Sequence, residues 1–104
     1  AGAVGGSSAG MMLTLAVYNT LSEDDITNGR RIAGTGTIST DGSVGRIGGM
    51  KQKTYAAIGV GAEYLLVPEG DYDVAFETAD GKIEVVAVAT IDDALAFLEG
   101  LSPA

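Results

Sequence analysis

Met50-Lys51-Gln52-Lys53-Thr54-Tyr55-Ala56-Ala57-Ile58-Gly59-Val60-Gly61-Ala62-Glu63-Tyr64-Leu65-Leu66-Val67-Pro68 holds a helix and the buried strand that follows it. Residues 50–58 read as a helix that ends near Gly59 and Gly61, where glycine takes the left-handed conformation that closes a last turn. Residues 63–67 read as a short buried strand, and Pro68 stops it. A helix leading through a glycine turn into a strand is one half of a helix-on-sheet layer.

Outward from this unit, strands and helices continue to be legible. Residues 32–39, IAGTGTIS, predict a strand, with Ala33, Thr35 and Thr37 on one side and Ile32 and Ile38 on the other. Asp41-Gly42 supplies a hairpin turn before residues 43–47, and Gly48 and Gly49 interrupt the run. Residues 9–21, AGMMLTLAVYNTL, are apolar on nearly every face and predict a buried helix. Glu23-Asp24-Asp25 and Asn28-Gly29 form a solvated connection after it. Residues 71–78 fit either a hairpin arm or a short helix, and residues 83–90 predict a strand. The segment 92–101 predicts a helix capped by Asp92, with Ala94, Leu95, Leu98 and Leu101 as its apolar stripe. The expected fold is a single α/β domain with helices layered against a sheet.

Composition narrows the chemistry. A length of 104 residues suits one hydrophobic core, and 46% hydrophobic content argues against disorder. A formal charge of -8 repels phosphate backbones and anionic membrane surfaces, so neither nucleic acid nor direct membrane contact is expected of this segment. Cysteine and histidine are both absent, which removes disulfides, a Cys nucleophile, a His-based triad and the usual zinc-ligand sets. No phosphate-binding loop occurs, and no cofactor is expected. The chain opens Ala1-Gly2-Ala3-Val4-Gly5-Gly6-Ser7-Ser8, without an initiator Met, which reads as a boundary inside a longer protein.

Ser8 stands where this glycine-rich loop enters the first predicted helix. Backbone can approach a substrate closely there, and first-turn N–H groups are available to a carbonyl or its oxyanion. The same position also suits an ordinary helix-capping serine. A hydroxyl nucleophile needs a base, and without histidine the candidates are Lys51, Lys53 and Lys82. A free lysine titrates near ~10.4 while a useful general base sits at roughly 7–8, a gap that apolar burial can close. Lys53 precedes Thr54-Tyr55-Ala56-Ala57-Ile58 on a core-facing helix, so partial burial is expected. Lys51 and Lys53 nevertheless flank the apolar stripe from opposite sides, and the helical wheel leaves both open.

Gly6-Ser7-Ser8-Ala9-Gly10, Ile32-Ala33-Gly34-Thr35-Gly36, Val44-Gly45-Arg46-Ile47-Gly48-Gly49-Met50-Lys51-Gln52-Lys53 and Ala56-Ala57 resemble, in order, the blocks of the Lon-type proteolytic domain. The likeness is strongest to bacterial Lon-like proteins in which this domain follows a PDZ domain and an N-terminal membrane anchor. They share IAGTGTI, the pattern D-G-x-V-G-x-I-G-G-x-x-Q-K and a terminal D-D-A-L. The resemblance covers essentially the whole chain and implies the C-terminal portion of one such domain, residues 1–104, without its upstream strands. It implies a serine endopeptidase with a Ser–Lys dyad. The serine of the family's G-P-S-A-G falls on Ser8, and the second lysine of G-G-L-K-E-K falls on Lys53, not Lys51. The threonine of A-x-T-G-E, which hydrogen-bonds near the lysine, falls on Thr35.

Two positions depart from the pattern: Ser7 replaces the usual proline, which frees φ and adds a second hydroxyl, and Thr37 replaces the usual glutamate. Backbone N–H groups of Gly6, Ser7, Ser8 and Ala9 are the candidate oxyanion donors. The resemblance further implies a polypeptide substrate, an upstream PDZ domain, a homo-oligomeric ring, and an extracytoplasmic, membrane-tethered location, with the cytoplasm as the alternative. The competing expectation is a non-catalytic interaction domain of the same fold.

Overall fold

In a computed structural model, residues 11–12, 30–39, 41–45 and 47–101 are described. Three strands, β1 (Ile32–Gly34), β4 (Tyr64–Pro68) and β5 (Glu84–Val88), form a parallel sheet in the order β1-β4-β5. Leu65 lies opposite both Ala33 and Val85, and Leu66 opposite both Gly34 and Val86. β2 (Thr37–Ile38) and β3 (Val44–Gly45) form a separate antiparallel pair. α1 (Met50–Gly59) connects this pair to β4, α2 (Tyr72–Ala79) connects β4 to β5, and α3 (Ile91–Glu99) follows β5. The helix expected over 9–21 falls outside the described residues except at Met11 and Met12, which are helical.

Period-two alternation along β4 divides the core. Leu65 and Val67 face α1 and α2 and pack with Met50, Ala57, Ala75, Ala79, Ile83 and Val85. Leu66 faces the other way and packs with Met11, Val88, Ile91, Ala94 and Leu98. The central strand is thus covered on both faces, which is why Leu65, Leu66 and Val67 form an unbroken apolar run. Tyr64, on the Leu66 side, meets Phe97 of α3 edge-on, with ring centroids 5.3 Å apart.

Local chemistry explains the boundaries. Met50, Thr54 and Ala57 are the buried stripe of α1, at i, i+4 and i+7. The helix ends as expected: Gly61, at φ 74, donates from its N–H to the Ile58 carbonyl, and the Ala62 N–H reaches back to the Ala57 carbonyl. This pair of bonds is a Schellman closure. Pro68 stands in register with Val88 at the end of β4. Its missing N–H points the same way as the Leu66 carbonyl, which accepts from Thr35, so the vacancy falls beyond the last residue of β1 and costs no ladder bond.

Two expectations are corrected, and one left open is decided. Residues 32–39 are not one strand: the chain leaves the parallel sheet at Thr35–Gly36 and re-forms as β2, paired with β3. Gly36 makes the crossing possible, because a Cβ there would lie 2.7 Å from Val44 Cγ1 and 3.3 Å from Pro68 Cγ. Of the two readings of residues 71–78 the helix is the one the structure has, as Tyr72–Ala79. The cap of α3 is Thr90 rather than Asp92: the Thr90 hydroxyl accepts from the Asp93 N–H at 3.1 Å, and the Asp93 carboxylate accepts from the N–H groups of Thr90 and Ala89 at 3.2 and 2.9 Å. Thr90 has the extended backbone an N-cap needs, whereas Asp92 already lies inside the first turn.

Before β1, the Glu63 carboxylate accepts from the Arg31 N–H at 3.1 Å and from the Arg30 guanidinium at 2.9 Å. These bonds, the backbone one foremost, hold the Glu63 pKa below its ordinary value. A depressed folded-state pKa favours folding at pH values above the unfolded glutamate pKa, and the contribution is lost as pH falls through the folded value. Glu63→Gln is therefore expected to lower the urea midpoint at pH 7, with the difference from the parent shrinking on acidification below about pH 4. An equal gap at pH 7 and pH 3 would contradict this.

Candidate active site

The helices following β1 and β4 begin near the C-terminal edge of the parallel sheet, the edge where open α/β sheets bind ligands. Thr35 directly follows β1 there and is 5% exposed, its N–H bonded to the Leu66 carbonyl at 3.1 Å. Met11 joins it from the other side of the chain: its N–H donates to the Gly36 carbonyl at 3.0 Å. Gly34 permits this approach, since a Cβ would lie 2.7 Å from Met12 Sδ and 3.3 Å from both Met11 Cε and Leu66 Cβ.

A cleft of ≈ 280 Å³ opens between β1 and α1, lined by Ala33, Gly34, Thr35, Lys53, Ala56, Ala57, Val60 and Leu65. Thr35 and Lys53 supply its two polar side chains, set among alanine, glycine, valine and leucine. Lys53 shares its helical face with Ala56, Ala57 and Val60, at i+3, i+4 and i+7, and this flank of α1 looks toward β1. Lys51 is exposed and does not line the cleft. Lys82 lies in the turn between α2 and β5, at the opposite end of the parallel strands from Thr35.

The expected partial burial of Lys53 is not what the structure has: the residue is exposed. Its place explains this. Lys53 sits in the first turns of α1, one position before buried Thr54, a border position from which a lysine can line the cleft and still reach solvent. Among the described residues no carboxylate forms an ion pair with it. Gly6, Ser7, Ser8 and Ala9 lie outside the described residues. Thr37 is half-buried in β2, opposite Gly45. Among the described residues no cluster of acidic side chains could hold a metal ion, and no helix is long and apolar enough to cross a membrane.

The residue that sequence reasoning missed is Asp71. It is 4% exposed, and its carboxylate accepts from the Ile47 N–H at 2.9 Å, on the loop that starts α1. Nothing in the local sequence marks it, because an aspartate before a helix normally reads as a cap.

Residues 1–99 match the family model of the Lon protease (S16) C-terminal proteolytic domain. The chain is 34% identical over 94 residues to the archaeal Lon protease of Archaeoglobus fulgidus, covering 88% of this chain and 15% of that protein. It is 37% identical over 93 residues to the Lon protease of Clostridioides difficile, covering 86% of this chain and 12% of that protein. The archaeal Lon protease of Thermoplasma acidophilum is 35% identical over 94 residues, 88% of this chain and 14% of that protein. The chain therefore spans about one seventh of the length of these relatives. A parallel α/β sheet covered on both faces, with a threonine and a lysine lining one cleft beside its C-terminal edge, accompanies a family match over nearly every residue, and the chain belongs to the Lon protease (S16) C-terminal proteolytic domain family.

Proposed function

We propose that this domain hydrolyses peptide bonds in polypeptide substrates through an acyl-enzyme, with Ser8 as nucleophile and Lys53 as general base. The observation that carries the reading is the cleft between β1 and α1, where Lys53 and Thr35 are the polar groups of an otherwise apolar lining. Ser8 precedes Met11 by three residues, a covalent reach of at most about 11 Å, and Met11 is bonded to Gly36, one residue beyond Thr35.

Neutral Lys53 takes the Ser8 proton as Oγ attacks the substrate carbonyl, and N–H groups among Gly6, Ser7, Ser8 and Ala9 receive the oxyanion. The lysine ammonium then protonates the leaving amine, and the acyl group remains esterified to Ser8. Water attacks the ester with Lys53 again as base, releasing the carboxylic acid and restoring the serine. Thr35, fixed by its backbone bond to β4, orients the lysine head. These steps need no metal or nucleotide. An upstream PDZ domain that recruits substrate, a homo-oligomeric assembly and extracytoplasmic tethering complete the same reading.

The solvent exposure of Lys53 favours one rival, a non-catalytic interaction domain of the same fold. A fluorophosphonate probe followed by peptide mapping separates the two. Labelling of Ser8 in the full-length protein, lost in Lys53→Ala, is the expected result. An adduct on Ser7 would move the nucleophile, and no adduct on either serine under conditions of active proteolysis would reject the dyad.

A further inference from the structure

Asp71 occupies the N-cap position of α2, yet its side chain makes no capping bond to that helix. An aspartate at an N-cap ordinarily spends its carboxylate on the first-turn N–H groups of its own helix. Here the carboxylate, 4% exposed, instead accepts from the Ile47 N–H at 2.9 Å, across 24 residues of chain. Burying a carboxylate is costly unless its bonds repay the lost hydration, so this contact is a committed one.

Beyond the Ile47 side chain, which packs against the core cluster of Met50 and Ala57, the segment it holds has few other anchors. Gly48 and Gly49 follow Ile47 and have no side chains, and a Cβ built on Gly48 would meet nothing within 4 Å. Gly49, at φ 71, is the N-cap of α1 and provides no side-chain cap. The first backbone bond of the helix runs from the Lys53 N–H to the Gly49 carbonyl at 3.1 Å. Met50, Thr54 and Ala57 fix α1 against the core, and the Ile47–Gly49 segment leads directly into its first turn.

We propose that Asp71 is a positioning residue, which clamps the Ile47–Gly49 segment and thereby sets Lys53 in the cleft beside Thr35. The inference rests on the reading of Lys53 as the base. It assigns to the loop after β4 a part in the reaction that its distance from the dyad in sequence conceals.

The test is steady-state peptide hydrolysis by the full-length protein carrying Asp71→Asn, Asp71→Glu or Asp71→Ala. Asparagine retains an acceptor oxygen at the same reach, and its kcat is expected within about threefold of the parent. Glutamate keeps the charge but carries the acceptor one methylene too far, and alanine removes it. Both are expected to lower kcat tenfold or more with KM within about twofold, because the loss falls on the base and not on substrate binding. Circular dichroism and urea midpoints identify the variants that fold. Parental kcat in a folded Asp71→Glu or Asp71→Ala protein overturns the proposal, and so does an Asp71→Asn protein as slow as Asp71→Glu. Failure of Lys53→Ala to slow the parent would instead strike the dyad reading itself.

Discussion

Lys53→Ala in the full-length protein is expected to lower kcat for a peptide substrate by on the order of 10⁴, with KM changed by no more than a few-fold. In the proposed mechanism the amine takes the serine proton in the transition state, and ground-state binding does not use it. Ser8→Ala should cost as much. The double variant should be no slower than either single one, because nucleophile and base act as a unit. Lys53→Arg is the more discriminating substitution. Guanidinium keeps the charge and the aliphatic stem, so a lysine that only covers apolar surface would be replaced with little effect. A base would not, since arginine stays protonated at all working pH values. Kinetics of Lys53→Arg at the alanine level support the assignment, whereas parental rates would return Lys53 to a packing role.

Leu66→Ala is expected to destabilise the domain by about 2–5 kcal/mol. Leu66 is fully buried at the centre of β4, between β1 and β5, and packs with Met11, Val88, Ile91, Ala94 and Leu98. Its Cβ already lies 3.3 Å from where a side chain on Gly34 would begin, and strands on either side hold the backbone. Such a site has little freedom to collapse around a truncated side chain, which puts the cost toward the upper part of the range. Val74→Ala, on the solvent side of α2 at 41% exposure, should change stability by less than about 0.5 kcal/mol. Urea denaturation of both variants checks the pair, and equal losses would mean that the core is not organised around β4.

The helix-to-strand unit from Met50 to Pro68 was legible because two different signals met at one glycine turn: a core-facing helix before Gly59 and an unbroken apolar run after Glu63. The element after Pro68 was not, since Val74-Ala75-Phe76 satisfies strand and helix alike. What decides it is tertiary, as Ala75 and Ala79 pack beneath β4 and β5. The break at Thr35–Gly36 was hidden for a related reason. IAGTGTIS alternates well enough for one strand, and only the closeness of Val44 and Pro68 to Gly36 shows that the chain changes sheets there.

The candidate site was read through motif order more than through pattern. The helical wheel left Lys51 and Lys53 level, the order of the motifs chose Lys53, and which of the two lines the cleft is a fact of packing that no local pattern carries. Asp71 had no signature at all. An aspartate before a helix announces a cap, and only the fold turns its carboxylate toward Ile47.

The most direct test of the central claim is the separation of Ser8 Oγ from Lys53 Nζ in a high-resolution structure of the full-length protein with a peptide-like inhibitor in the cleft. Direct proton transfer requires about 2.6–3.2 Å, or one bridging water, and that is the expected result. An ordered Ser8 well beyond water-bridged reach, with the lysine head in bulk solvent while substrate is bound, would contradict it.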